Sequence, residues 1–160
     1  MKPSAVIKLF IACGLCLSVG LMASLFTTRQ TISNWYAALD KPFFTPPDWV
    51  FGPTWTVLYV LMGISAFLIW RRGINNRTVR ICLALFIGQL VLNGLWTPLF
   101  FGLQMPLVAF VEILLLWSAI LLTIMRFKRV SKTAALLLIP YILWVSFAAV
   151  LNGGIWLLNR

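Results

Sequence analysis

The few polar and aromatic side chains of this chain recur at helical spacing, and they are the groups that could hold a ligand. Residues three or four positions apart lie on the same face of an α-helix. Three such faces are present: Trp55, Tyr59 and Met62; Gln89, Asn93, Trp96 and Phe100; and Tyr141, Trp144, Ala148, Asn152, Ile155 and Asn159. Gathered in one place, indoles, amides and phenols of this kind favour a binding pocket.

The groups needed for ordinary catalysis are scarce. The chain has no histidine, the commonest general base and metal ligand. Cys13 and Cys16 form a C-x-x-C inside an apolar stretch, where buried thiols are the expected interpretation. We therefore expect no metal site and no required cofactor, and these residues identify no catalytic group.

Glu112 is the one acid within a long apolar stretch, on a helix face shared with Ala119 and Thr123. An ionisable group in that setting is a functional candidate. It could pair with Lys41 or Arg29, or remain protonated; we hypothesise the protonated form, because burial disfavours the charged form.

The composition indicates a membrane protein. Of 160 residues 62% are hydrophobic and 10% charged, and the mean hydropathy is +0.99. A helix needs about 20 apolar residues to cross a bilayer. The apolar stretches, with a break at Pro106, predict an all-α membrane protein, a single domain over 1–160 that folds as a bundle of five transmembrane helices. The predicted helices span about 5–26, 49–70, 81–101, 107–125 and 133–158. The first is too long for a signal peptide, and we expect it to be retained.

The basic residues predict the orientation. Ten of the thirteen fall on one side: Lys2, Lys8, Arg71, Arg72, Arg77, Arg80, Arg126, Lys128, Arg129 and Lys132. Cytoplasmic loops carry such an excess, so we expect a cytoplasmic N-terminus and an outward-facing 27–48 loop and C-terminus. The basic residues behind the net charge of +10 then orient the protein, and they are expected to contact membrane lipid. It does not indicate nucleic-acid binding.

The 27–48 loop is predicted to form a lid. Pro42, Pro46 and Pro47 stiffen it, and residues 34–40 could form a short helix with Ser33 or Asn34 as N-cap. At 1.5 Å per residue, the polar and aromatic groups lie roughly 8–12 Å below the outward surface. The sequence therefore predicts a ligand pocket under the 27–48 loop.

Each of these signals has an alternative. Tryptophans also gather at membrane interfaces, and this preference is enough to explain Trp70 without a ligand. Trp117 is predicted to face lipid. Asn93 and Asn152 could hydrogen-bond across helices instead of contacting a ligand. Ala84 and Gly88 form a small-xxx-small pattern that favours either internal packing or a homodimer.

Several ordered motifs resemble the TspO/MBR family (tryptophan-rich sensory protein, translocator protein, peripheral benzodiazepine receptor). They are WYAALDKP from Trp35, TPP from Thr45, WVFGPTW from Trp49, NGLW from Asn93, and FAAVLN from Phe147. The resemblance implies a five-helix bundle, usually dimeric, whose pocket under the first loop binds porphyrins such as protoporphyrin IX and benzodiazepine-like drugs. We predict these ligand-binding residues: Trp35, Trp49, Trp55, Tyr59, Asn93, Trp96, Tyr141, Trp144, Ala148 and Asn152.

The chain departs from the family in one place. Relatives that bind cholesterol carry a tyrosine after the Leu-Asn pair, whereas Leu151-Asn152 is followed here by Gly153-Gly154. Sterol binding is therefore not expected.

Three functions remain open on the sequence. The leading prediction is a membrane porphyrin (tetrapyrrole)-binding sensory or regulatory protein, with Lys41 or Arg29 facing the propionates. The alternatives are a light- and oxygen-dependent porphyrin-degrading enzyme, with Trp55 and Trp144 as candidate oxidised partners, or a porphyrin or lipid transporter.

Overall fold

The computed structural model describes residues 3–28 and 31–160, and the described chain is all-α. Its helices are α1 (Pro3–Ser24), α2 (Phe51–Trp70), α3 (Arg77–Thr97), α4 (Pro106–Val130), α5 (Lys132–Leu137) and α6 (Ile139–Leu158). Within the described residues, five segments are long and apolar enough to cross a membrane, with α5 and α6 forming one of them. The predicted fold class and the five spans are confirmed.

Local sequence signals account for the helix starts. Asn76 caps α3 by accepting a 2.8 Å hydrogen bond from the Thr78 amide. Pro106 is the first residue of α4, where a missing N–H costs nothing. The Ser131 hydroxyl accepts from the Ala134 amide at 3.3 Å and begins α5. Because of the Asn76 cap, α3 starts four residues before the predicted position. The α4 helix continues to Val130, five residues beyond its predicted end.

The last span is not the single helix that was predicted. The helix breaks at Leu138, between α5 and α6. Pro140 explains the break, since proline lacks an N–H and its ring crowds the carbonyl four residues earlier. The Leu138 amide bonds instead to the Ala135 carbonyl at 3.2 Å, which tightens the turn.

The short helix in the first loop also differs from the prediction. A π-helical turn covers Thr31–Tyr36 and starts before the predicted residue 34. The Thr28 hydroxyl accepts a hydrogen bond from the Thr31 amide at 3.2 Å, so neither Ser33 nor Asn34 is the cap. The predicted N-cap is therefore wrong.

The helices form a closed bundle. α1 packs between α2 and α3, α3 packs on α4, and α4 packs on α5 and α6. A Cβ built on Gly63 of α2 would lie 2.5 Å from the Cα of Cys13, so the absence of a side chain there lets α1 and α2 approach closely. We call the end of the bundle that carries residues 31–50 the lid end.

A buried chain of hydrogen bonds ties three helices together below the lid end. The Tyr59 hydroxyl donates to Asn93 Oδ1 at 2.7 Å, and Asn93 Nδ2 donates to the Tyr141 hydroxyl at 3.1 Å. Tyr141 in turn donates to Gln89 Oε1 at 2.9 Å. All four residues are at most 5% exposed and lie on the faces predicted to point inward. We call these four residues the tyrosine–amide chain.

The tyrosine–amide chain predicts a loss of stability when its central hydroxyl is removed. In Tyr141→Phe, Asn93 loses an acceptor and Gln89 loses a donor, both inside the bundle. Interhelical hydrogen bonds in membranes contribute roughly 0.6–1.7 kcal/mol, so we expect the free energy of unfolding to fall by about that amount. Thermal unfolding in detergent measures it.

Tyr36→Phe is the matched control, because the Tyr36 hydroxyl lies outside the tyrosine–amide chain. The double variant Tyr59→Phe/Tyr141→Phe should lose less free energy of unfolding than the two single variants lose together, since both hydroxyls bond to Asn93. Strict additivity, or no loss from Tyr141→Phe alone, would contradict a coupled network.

Candidate ligand-binding site

A cavity of about 700 Å³ lies inside the bundle at the lid end. Its walls come from α1, α2, α3, α4 and α6 and from the loop between α1 and α2. Of the ten predicted ligand-binding residues, the structure brings seven into this wall: Trp55, Tyr59, Asn93, Trp96, Trp144, Ala148 and Asn152. The inward faces of three helices therefore meet around one space.

Aromatic rings form much of the wall. Trp55 stacks on Tyr59, with ring centroids 5.5 Å apart and an interplanar angle of 28°. Trp96 stacks on Phe100 at 5.0 Å and 17°. Trp144 meets the Phe51 ring edge-on at 5.8 Å. Rings held by such contacts offer a rigid surface on which a flat apolar molecule can stack.

The amides of the wall are already bonded within the protein. Trp96 Nε1 donates to Asn152 Oδ1 at 3.1 Å, and Asn152 Nδ2 donates to the Pro106 carbonyl at 2.9 Å. Asn93 bonds to both tyrosines of the tyrosine–amide chain. Both asparagines thus connect helices, as the alternative interpretation held, and they line the cavity as well.

Trp144 presents a different kind of polar group. Its Nε1 atom is buried and has no hydrogen-bond partner among the described residues. A buried donor without an acceptor costs about 1–3 kcal/mol. Trp144 lines the cavity, but its Nε1 atom is itself covered by protein, so this N–H is not offered to a bound molecule in the described structure.

Three predicted site residues lie outside the cavity wall. Tyr141 is fully buried in the tyrosine–amide chain, with its ring 6.3 Å from that of Trp55. Trp35 packs edge-on against Phe100 at 5.5 Å, behind the wall. Trp49 is 74% exposed, because the turn that begins α2 directs it away from the bundle. These three residues do not line the cavity as predicted.

Sequence reasoning missed part of the wall. Tyr36, Asp48 and Phe51 line the cavity from the loop and the start of α2, and α1 contributes Leu17 and Gly20. The helical periodicity of the other spans gives no signal for loop residues. Asp48 had one available signal, an ionisable side chain immediately before a span.

The charges at the lid end differ from those predicted for the pocket mouth. Lys41 Nζ donates to the Ala37 and Leu39 carbonyls at 3.4 and 3.2 Å and lies 4.7 Å from the centroid of the Tyr36 ring. Lys41 is not among the residues of the cavity wall, and Arg29 lies outside the described residues. Burial, together with the Asp48 carboxylate, raises the pKa of Tyr36 to about 12.

The loop rests on α6 through close contacts. The Asp40 amide donates to Asn159 Oδ1 at 3.0 Å, and Asn159 Nδ2 donates to the Asp40 carbonyl at 2.9 Å. A Cβ on Gly154 would lie 2.6 Å from Pro42 Cγ, so a side chain there would displace the loop. We call residues 31–50, seated in this way, the lid.

Glu112 lies inside the bundle, as its helix face predicted, whereas Trp117 departs from its predicted environment. Glu112 is 7% exposed, and neither of its carboxyl oxygens has a hydrogen-bond partner in the described chain. Pairing with Lys41 is therefore not observed. Trp117 does not simply face lipid, because its Nε1 donates to the Ser146 hydroxyl of α6 at 2.8 Å.

The small-xxx-small pattern lies on the outside of the bundle. Ala84 and Gly88 are both exposed, and a Cβ on Gly88 would meet nothing within 4 Å. Internal packing is thus the wrong alternative for this pattern. Homodimerisation through this face stays a prediction.

Comparison with known proteins agrees with the architecture. The sequence model of the TspO/MBR family matches residues 12–157. The tryptophan-rich protein TspO of Archaeoglobus fulgidus is 47% identical over 155 residues, which cover 96% of this chain and 98% of that protein.

More distant relatives cover less of the chain. The translocator protein of Homo sapiens is 42% identical over 125 residues, covering 77% of this chain and 73% of its own length. The tryptophan-rich sensory protein of Cereibacter sphaeroides is 34% identical over 126 residues, covering 79% of this chain and 77% of its own. With its five membrane-spanning segments, the chain is a multi-pass membrane protein of the TspO/MBR family.

Proposed function

We propose that the protein binds a tetrapyrrole such as protoporphyrin IX in the cavity beneath the lid and acts as a membrane sensory or regulatory protein. The observation that carries the proposal is the convergence of Trp55, Trp96 and Trp144 on one cavity of about 700 Å³. Pockets for small molecules have volumes of roughly 300–1,000 Å³ and combine apolar walls with a few polar groups. No cofactor is required for this role.

The names of the relatives point to a sensory role as well as to transport, and the position of the cavity favours the first. One relative is named a tryptophan-rich sensory protein and others are named translocator proteins. A transporter needs a path through the bilayer, whereas this cavity lies at one end of the bundle and is closed below by the tyrosine–amide chain. That arrangement favours binding over passage.

We further propose that the lid faces outward and the N-terminus is cytoplasmic. The support is the distribution of basic residues: Arg71, Arg72 and Arg77 lie at the end of the bundle opposite the lid, as do Arg126 and Lys128. Positive residues accumulate on the cytoplasmic side of membrane proteins.

Replacing Trp55 should weaken porphyrin binding. Trp55→Ala removes a stacked ring from the wall, and we expect the Kd for protoporphyrin IX to rise roughly tenfold, since a stacking aromatic contributes about 0.5–1.5 kcal/mol beyond the area it buries. Trp55→Phe keeps part of the surface and should show a smaller rise. Porphyrin absorbance in detergent measures both without depending on the altered tryptophan.

Trp70→Phe is the matched control, because Trp70 lies at the opposite end of α2 and outside the cavity wall. The Trp70→Phe variant should bind protoporphyrin IX with the same Kd as the unmodified protein. If Trp55→Ala bound protoporphyrin IX with the same Kd as the unmodified protein, the cavity would be excluded as the porphyrin site.

The seating of the lid predicts that it limits ligand entry. Asn159→Ala removes both hydrogen bonds to the Asp40 backbone, each contributing roughly 0.5–1.5 kcal/mol. Opening then costs less free energy, so association and dissociation rates should both rise several-fold while Kd changes less. Stopped-flow mixing with protoporphyrin IX measures the two rates.

Asn34→Ala serves as the control for this experiment, because Asn34 is an exposed lid residue whose side chain bonds only to neighbouring Ser33 within the described chain. Unchanged rates in Asn159→Ala would show that the ligand reaches the cavity by another route.

Light- and oxygen-dependent degradation is the second candidate function. Trp55 and Trp144 both line the cavity, so both indoles would adjoin a bound photosensitiser. If the protein degrades porphyrin in this way, bleaching should require both light and oxygen and should leave one of these indoles oxidised in the mass spectrum. Bleaching in the dark under argon would contradict this version of the chemistry.

A further inference from the structure

The cavity wall carries one charged side chain within the described residues, the carboxylate of Asp48. Asp48 begins the 3-10 turn that leads into α2, and it is exposed rather than buried in the protein. No hydrogen bond or ion pair to its carboxylate is present in the described chain. As far as the described residues go, the carboxylate is therefore available to a group that occupies the cavity.

The described lysine nearest in sequence does not neutralise this charge. Lys41 Nζ is held by the Ala37 and Leu39 carbonyls and by the face of the Tyr36 ring. It contributes nothing to the cavity wall. Among the described residues, the wall is thus anionic at one point and otherwise neutral.

Aromatic faces surround the same space. Tyr36, Phe51 and Trp55 line the cavity together with Asp48. Burial, with the Asp48 carboxylate as a second cause, raises the pKa of Tyr36. Aromatic faces combined with a carboxylate attract organic cations, because the ring quadrupole and the negative charge act in the same direction.

A purely structural role for Asp48 exists but accounts for less. A carboxylate at the start of a helix is stabilised by the helix dipole. That role requires no cavity, and an asparagine would fill much of it. The selectivity of the cavity for ligand charge distinguishes the two roles.

We propose that the cavity is a binding site for lipophilic cations, aromatic molecules that carry a positive charge, with Asp48 as the residue that selects for the charge. This goes beyond porphyrin binding, because a porphyrin's propionates carry the opposite charge. The site takes the aromatic body of the ligand between the indoles and places its cationic group toward Asp48.

Tetraphenylphosphonium and tetraphenylborate provide the test, since the two ions have nearly the same size and shape but opposite charge. Each is titrated into the full-length protein in zwitterionic nanodiscs, with empty nanodiscs subtracted. Affinities are compared between protein variants for one ion at a time, so the different membrane partitioning of the two ions cancels.

In Asp48→Asn we expect the Kd for tetraphenylphosphonium to rise roughly fivefold or more, through the lost charge. The Kd for tetraphenylborate should stay the same or fall. Asp48→Glu restores the charge and should bind both ions nearly as the unmodified protein does. Thermal unfolding of each variant confirms that the fold is kept.

Asp40→Asn is the matched control. It makes the same change in net charge within the lid, at an exposed residue whose side chain lies outside the cavity wall. It should leave both affinities unchanged. An equal response of the two ions to Asp48→Asn, an equal effect of Asp40→Asn, or no binding of tetraphenylphosphonium would overturn the proposal.

The outcome is separable from the proposed porphyrin role. The same preparations are titrated with protoporphyrin IX. Porphyrin binding without a charge-selective effect of Asp48 would reject the present inference alone. Cation binding without porphyrin binding would support it while rejecting the tetrapyrrole proposal.

Discussion

The hydrogen bonds that join Tyr59, Asn93, Tyr141 and Gln89 hold three of the membrane-spanning helices in register around the cavity. Lipid offers no partner for polar groups, so these four must find one another inside the bundle. The pairing of these four side chains fixes the rotation of α2, α3 and α6 about their axes. In each of these helices an indole lies one turn closer to the lid: Trp55 beyond Tyr59, Trp96 beyond Asn93, and Trp144 beyond Tyr141. The bonds that close the floor of the cavity therefore also direct the tryptophans that form its walls.

The lid depends on the opposite property, the absence of side chains. Gly154 leaves room for Pro42, and Gly153 leaves room for the ring of Phe110 on α4. The tyrosine that the resemblance led us to look for after Asn152 would clash at this point. At Gly153 and Gly154, Phe110 of α4 and Pro42 of the lid fill the space that a side chain would need. This packing is consistent with the absence of the sterol motif.

The lengths of the apolar stretches were enough to predict the five spans. Helical spacing predicted seven residues of the cavity wall, because one period relates every residue on a face. It failed where a position is fixed by contacts distant in sequence. Trp49 shares the motif that contains Trp55, yet the 3-10 turn exposes it. Lys41 was expected at a pocket mouth, whereas carbonyls of its own loop and the Tyr36 ring hold it. The break at Leu138 had a local signal in Pro140, but a proline within an apolar stretch kinks some helices and divides others.

The polar groups of the cavity divide into two kinds, and the division determines how selectivity arises. Asn93 and Asn152 are committed to other helices, so bonding a ligand would require breaking interhelical bonds that stabilise the bundle. The Asp48 carboxylate has no such bond to another helix within the described chain. Stacking on the indoles depends on shape and discriminates weakly between flat molecules of similar size. Asp48 is the one charged residue of the wall within the described chain, so a ligand that brings a positive charge to it gains an attraction that stacking does not supply and leaves the interhelical bonds intact.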